Sequence, residues 1–226
     1  MTKADDAYLL LCDMIETGRL APGDFFTETS LVDRLGLGRT PTREAVQRLD
    51  RDHLVHIRPG RGIQIPDNSV DEQLRRLEVR RVLESLAVSL ASERASVDQL
   101  GLLEGLADEL ARLTDLPSYV VALRETHRSI GEATHNEYLA RAIVPLQGLS
   151  RRFWMAHVTE QETPAEIATG KTHHGALLRA VVRRDGEQAR QASVDLNDYL
   201  VSFALGVARR SASAGAMATR WSMPTR

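Results

Sequence analysis

The sequence predicts a mainly α protein: a small N-terminal winged helix-turn-helix unit, followed by an antiparallel bundle of about six helices. Three observations predict it. Residues 27–49 read as two short helices around a tight turn at Gly36. Residues 54–66 read as two strands joined at Pro59-Gly60-Arg61-Gly62. After Ser69 no strand pattern recurs, and apolar residues return at helical spacing as far as about Arg210.

Taken in order, Ala4 to Thr17 is helical, with Tyr8, Leu11, Cys12 and Ile15 on one stripe and Gly18 as its stop. Leu20-Ala-Pro-Gly23 is a turn, and Phe25 is expected to plug the small core. In the first helix of the motif Leu31, Val32 and Leu35 share a face, and Gly36 lets the chain leave it at positive φ. The second helix is expected to start with Thr40 as N-cap and Pro41 at the first helical position, where a missing N–H costs nothing. Ala45, Val46 and Leu49 then face inward, and Arg39, Thr42, Arg43 and Arg48 face out. The wing strands are expected near Leu54–Arg58 and Gly62–Pro66.

Pro66-Asp-Asn-Ser69 opens the linker. A long helix follows to about Ala95, with Leu74, Leu77, Val82, Leu86, Val88 and Leu90 as its apolar face. Ser96-Val-Asp-Gln99 is a capping box opening a helix to about Leu113. Pro117 and Ser118 open a third, to Ala133, and His135-Asn136 is a break. Glu137 to about His157 is a fourth, bent or interrupted at Pro145. Thr163-Pro164-Ala-Glu166 is a capping box with Pro at the first position, opening a helix to about Arg184. Asp185 caps the last helix, to about Arg210. Residues 211–226, rich in Ser, Ala, Gly and Thr, are expected to form a mobile tail.

No apolar run approaches the roughly 18 to 20 residues that span a bilayer, and no basic region followed by an apolar core marks a secretory signal. A cytoplasmic protein without a membrane partner is expected. The single cysteine, Cys12, excludes an intrachain disulfide and reads as a buried helix residue. The net charge of −2 does not advertise nucleic-acid binding, but its distribution does. Between Arg34 and Arg61 stand seven arginines against three acids. Local charge decides whether phosphates are attracted. Arg39 and Arg43, four residues apart, emerge together at the helix start, and their forks suit phosphate oxygens or the O6/N7 edge of guanine. Arg58 and Arg61 flank Gly60, which can bring backbone close to a phosphate or into the minor groove.

The string Arg39-Thr-Pro-Thr-Arg43-Glu-Ala-Val-Gln-Arg48-Leu resembles the recognition segment of the GntR family of bacterial transcription factors. Ile15-Glu-Thr-Gly18-Arg-Leu20-Ala-Pro22-Gly23 and the wing Leu54-Val-His-Ile-Arg58-Pro-Gly60-Arg61-Gly62 are similar to the same family, in the same order. Gly38 departs from it, standing where the family usually has Ser, at the expense of a phosphate contact. Leu77-Glu-Val-Arg80-Arg81-Val-Leu-Glu84, His127-Arg-Ser-Ile-Gly-Glu-Ala-Thr-His-Asn136 and His174-Gly-Ala-Leu-Leu-Arg-Ala-Val-Val-Arg-Arg-Asp185 resemble the FCD helical domain of its FadR-like branch. The count of six helices points to the VanR-type subdivision.

The resemblance implies a winged-helix DNA-binding domain over 1–66, a linker over 67–71, a helical effector-binding and dimerisation domain over 72–210, and the tail. It implies a homodimeric regulator, a repressor, on a short palindromic operator of double-stranded DNA, modulated by a small-molecule effector. Arg39, Thr40, Thr42 and Arg43 would lie against bases or nearby phosphates, and Arg48, Arg58, Gly60 and Arg61 against the backbone. Arg80, His127, His174 and Asn136 would bind the effector. A buried guanidinium such as Arg80 needs an anion, so a carboxylate effector is expected; the alternative is a surface salt bridge of Arg80 with Glu84, at i+4, or with Glu78. Many relatives hold Zn, Ni or Mn with one Asp and three His. Here His127 and His174 match two ligands, while Leu123 and Leu196 stand at the other two positions and cannot ligate. A metal cofactor is therefore disfavoured. Two other functions compete: a metal-dependent enzyme built on the helical domain's histidines, and a helical interaction module that has lost DNA binding. No His-Glu-x-x-His string and no nucleophile elbow supports the enzyme. The retained Arg39 and Arg43 oppose the module.

Overall fold

Helix α1 (Lys3–Glu16) opens with a reciprocal capping box between Thr2 and Asp5 and presents Leu11 and Ile15 to the interior. It leads into β1 (Phe25–Phe26), α2 (Glu28–Leu35), α3 (Arg39–Arg51), β2 (His56–Arg58) and β3 (Gly62–Gln64). Six helices follow: α4 (Val70–Arg94), α5 (Val97–Arg112), α6 (Leu116–Ala133), α7 (Glu137–His157), α8 (Thr163–Val182) and α9 (Gly186–Trp221). The computed structural model describes residues 2–66 and 68–221, with side chains as far as 212. No helix among the described residues is long and apolar enough to cross a membrane.

The chain forms two compact units, and the first is discontinuous: Met1–Ser69 cluster with Val144–Ala156 of α7, and Val70–Ile143 with His157–Arg226. In the first unit α1 and α2 pack on α3. Leu11, Ile15, Leu31, Leu49, Leu54 and Ile63 lie in one buried cluster, and Leu149 of α7 is part of it. Arg151 of the same α7 segment donates to Glu16 at 3.0 Å, with both side chains buried. A contiguous division at the linker misses this segment, because α7 reads in sequence as one more helix of the bundle.

The motif helices form as expected, with one shift. Thr27 caps α2 by accepting from the Ser30 N–H at 3.1 Å, and Gly36 ends it at φ +64°. Helix α3, however, begins at Arg39 with Gly38 as its N-cap, not Thr40, and no side chain caps it. Pro41 fits all the same, because any of the first helical N–H groups lacks an intrahelical acceptor. The expected strands shorten to three residues each, and a third, β1, joins them in the antiparallel order β1-β3-β2. Phe26 pairs with Ile63, and Ile57 pairs with Ile63 from the other side. Phe26, not Phe25, packs against the core; Phe25 is exposed, since neighbours on a strand point to opposite faces. A Cβ at Gly62 (φ +101°) would meet the Phe26 carbonyl oxygen at 2.6 Å, so the strand crossing requires glycine.

In the second unit α4 packs along α9, α8 packs on α9 and α5, and α6 packs on α5 and α4. The inward face of α4 differs from the expected one. Gln73, Leu77, Arg80, Glu84, Ala87, Val88 and Ala91 are buried, whereas Val82 and Leu86 are exposed, as is Val79. An ion pair internal to the helix lets its polar stripe face inward. Ser96 and Gln99 form the expected capping box of α5, and α7 remains one helix through Pro145. The box expected at Thr163–Glu166 lies one turn earlier: Thr159 and Glu162 bond reciprocally, and Thr163 donates to the Thr159 carbonyl. Helix α9 runs on to Trp221, past the point where a tail was expected. Alternate alanines from 212 to 218 favour helix more than the intervening Ser and Gly oppose it. Residues 222–226 of the expected tail lie outside the described residues.

Candidate functional site

The exposed side of α3 is bounded by what is buried. Thr42, Ala45, Val46 and Leu49 face the core, which leaves Arg39, Thr40, Arg43, Glu44, Gln47, Arg48 and Arg51 outside. Thr42 is thereby removed from the expected contact set. Its side chain is fully buried and its hydroxyl donates to the Gly38 carbonyl at 3.0 Å. The earlier helix start explains the change, since Thr42 then makes the first turn's back-bond. Gln47 and Arg51 join this exposed face. They fall seven and eleven residues after Thr40, on the same helical stripe.

Most arginines of this unit are held on their own domain. Arg43 donates through Nε to Glu28 Oε2 at 3.1 Å. Arg48 pairs with Asp5 at 3.3 Å and lies 4.0 Å over the Tyr8 ring. Arg34 stacks on Phe26 at 5.1 Å, and Arg61 stacks on Phe25 at 4.8 Å. The exposed Phe25 thus serves as a platform for a wing arginine. Arg58 donates to Gln64 at 3.0 Å, across the β2–β3 hairpin. Asp50 of α3 accepts the Ile57 N–H at 2.8 Å, which ties the wing to the helix. Gly60 is exposed at φ +73° at the wing tip, with nothing near where a Cβ would project. Arg48 and Arg51 edge a shallow groove of about 300 Å³ shared with Ala4, Asp5, Glu44 and Gln47.

The second constellation is buried in the helical unit. Arg80 Nε donates to Glu84 Oε2 at 2.6 Å and Nη2 to Oε1 at 3.3 Å, with both side chains 2% exposed. Glu84 is therefore the anion that the Arg80 guanidinium needs, and no effector carboxylate is required to balance it. His127 and His174 come together as expected, with ring centroids 5.4 Å apart. His174 Nδ1 lies 2.8 Å from the Gly170 carbonyl. A carbonyl only accepts, so Nδ1 carries the proton and Nε2 holds a buried lone pair with no hydrogen-bond partner among the described residues. Burial pushes the His174 pKa down to about 4, against the opposing Gly170 bond, and the Arg80 charge adds to the lowering. The Tyr119 pKa moves the other way, raised by burial first and then by Glu166. Its hydroxyl occupies the space over Gly170, where a Cβ would stand 2.1 Å away. Asn136 is spent elsewhere: its Oδ1 accepts the Leu139 N–H at 3.1 Å at the start of α7.

These residues do not fit a divalent metal. Leu123 and Leu196 are buried and apolar, and no group of three or more His, Cys, Asp or Glu side chains gathers among the described residues. Two imidazoles alone make half of the four-ligand shell such ions take from a protein.

Comparison with known proteins matches both units. The model of bacterial regulatory proteins of the gntR family covers residues 3–65, and that of the FCD domain covers residues 75–198. A regulator from the TAR-I ttuE-ttuC' intergenic region of Agrobacterium vitis is 30% identical over 140 residues, 61% of this chain and 77% of its own. The HTH-type regulator YdhC of Bacillus subtilis is 24% identical over 188 residues, 81% of this chain and 83% of its own. McbR of Escherichia coli is 25% identical over 188 residues, 80% and 83% of the two chains. The solved structure of E. coli McbR/YncC superposes with a TM-score of 0.76 at 21% identity, covering 91% of this chain and 98% of its own. A GntR regulator from Rhodococcus gives 0.67 at 19% identity, covering 92% and 98%.

Proposed function

The chain belongs to the gntR family of bacterial regulatory proteins with an FCD domain, and from that premise we propose that it acts as a homodimeric, effector-responsive repressor on a short palindromic operator. It is a transcriptional regulator of the GntR/FCD type, and its relatives are regulators, not enzymes. The observation that carries the finer reading is the set of exposed arginines at the start of α3 and on the wing, opposite the buried face of Thr42, Ala45, Val46 and Leu49. Arg39, Thr40 and Arg43 are assigned to base edges and nearby phosphates, and Arg48, Arg58, Gly60 and Arg61 to the backbone. Dimerisation is supported by Val79, Val82 and Leu86, a solvent-exposed apolar stripe on α4 that a second copy would cover. The effector is assigned to the buried centre of Arg80, His127 and His174. With the charges of Arg80 and Glu84 balanced, the orphan acceptor at His174 Nε2 favours a ligand that donates a hydrogen bond.

Enrichment of sites from random duplex DNA tests this reading. The wild type is expected to select a two-fold symmetric sequence, and Arg43→Ala to lose affinity for it while staying dimeric by light scattering. Unchanged binding by Arg43→Ala would sink the assignment of α3. Transcription from a promoter carrying the enriched site is expected to fall when the regulator is expressed.

A further inference from the structure

We infer that Glu28 is a positioning residue for base readout: it holds Arg43 by Nε, so that the two terminal guanidinium nitrogens are left as one oriented fork. The inference rests on α3 being the recognition helix and concerns how that helix discriminates.

Glu28 is itself well fixed. It is the first residue of α2, and Thr27 before it caps that helix through the Ser30 N–H. A carboxylate at a helix N-terminus is favoured by the helix dipole. Its side chain is 34% exposed, against 66% for Arg43. The contact at 3.1 Å thus ties a mobile arginine to a capped and partly buried anchor.

The geometry selects which donors remain. A guanidinium carries five N–H groups in a planar fork. Glu28 uses the one on Nε. The four on Nη1 and Nη2 are left, and a parallel pair of these matches guanine O6 and N7 end-on. Arg39, the other arginine at the helix start, has no such anchor among the described residues: it is exposed and makes no ion pair. The two arginines therefore differ in kind. Arg39 can follow a phosphate wherever it lies, whereas Arg43 presents one orientation.

Glu28 also brings a negative charge toward the DNA. That charge opposes the sequence-independent attraction to phosphate while the tether sharpens base choice. The two effects have opposite signs, and a merely structural role for Glu28 could not produce both.

The test uses the full-length chain. Sites are enriched from random DNA with the wild type, and the guanine most affected by Arg43→Lys is located. Anisotropy titrations then compare three duplexes at several salt concentrations: the enriched site, the same site with that pair changed, and a random duplex. Glu28→Gln, which keeps shape and removes charge, is expected to hold or raise affinity for the random duplex. Its preference for the enriched site over the changed one is expected to fall about tenfold. Glu28→Asp should recover part of that preference. Glu28→Gln should have no further effect on it in an Arg43→Ala background. Wild-type discrimination by Glu28→Gln would overturn the inference. So would a proportional loss on all three duplexes with a lowered Tm, the mark of a damaged helix cap. If the wild type enriches no sequence, the reading of α3 itself falls, and the role of Glu28 with it.

Discussion

Gly62 has the least freedom of any residue in the wing, since a Cβ there meets the Phe26 carbonyl oxygen and the backbone sits at φ +101°. Gly62→Ala is expected to cost about 1–3 kcal/mol in urea unfolding. Gly60, also at positive φ but open to solvent, should tolerate Asn far better. In the helical unit the Arg80–Glu84 pair is a buried charge balanced within one helix. Glu84→Ala should cost about 3–5 kcal/mol, while a double change of Arg80 to Met and Glu84 to Leu should be close to neutral. His174 makes stability depend on pH. Its folded pKa of about 4 lies below the ordinary 6.5, so the unfolded chain binds the proton first. Its contribution is complete above pH 6.5, is lost as pH falls toward 4, and amounts to about 3 kcal/mol. Urea midpoints measured between pH 7 and 4 should fall less steeply for His174→Gln than for the wild type.

At the scale of elements, what was legible in the sequence is what local chemistry decides. The Thr27 cap, the Gly36 stop and the Ser96–Gln99 box all occur where residue type alone demands them. Thr27→Ala is therefore expected to cost about 1 kcal/mol in thermal or urea unfolding, through α2. Positions where two local signals compete were less legible. Thr40-Pro41 announces a helix start, yet Gly38 opens α3, because Thr42 can bond back to the Gly38 carbonyl. Gly38→Ser, at φ −66° and with only ordinary contact between a Cβ and Pro41, should gain a few tenths of a kcal/mol. The inward face of α4 departs from its apolar periodicity for a related reason. Apolar periodicity finds Val82 and Leu86, but it cannot see that Arg80 and Glu84 neutralise each other and so can be buried.

For the whole molecule, net charge and fold class were legible, while assembly and pocket chemistry depend on contacts between distant residues. The acids that hold Arg43 and Arg48 stand 15 and 43 residues away in sequence. The clustered arginines imply strongly salt-dependent DNA affinity despite the acidic total. Replacing Arg61 with Ala should reduce the slope of log affinity against log salt by about one, uniformly across sequences. Val82→Glu on the exposed α4 stripe should shift the chain toward monomer in sedimentation velocity without unfolding it.

The seating of Leu149 and Arg151 among the residues of the N-terminal unit bears on modularity. A fragment ending at residue 69 would keep every motif of the DNA-binding head, yet lose the Arg151 partner of Glu16 and the Leu149 side chain from its core. Such a fragment should be markedly less stable than the same head in the intact chain. A chimera that grafts this head onto another bundle is expected to need residues 144–156 of α7 along with it.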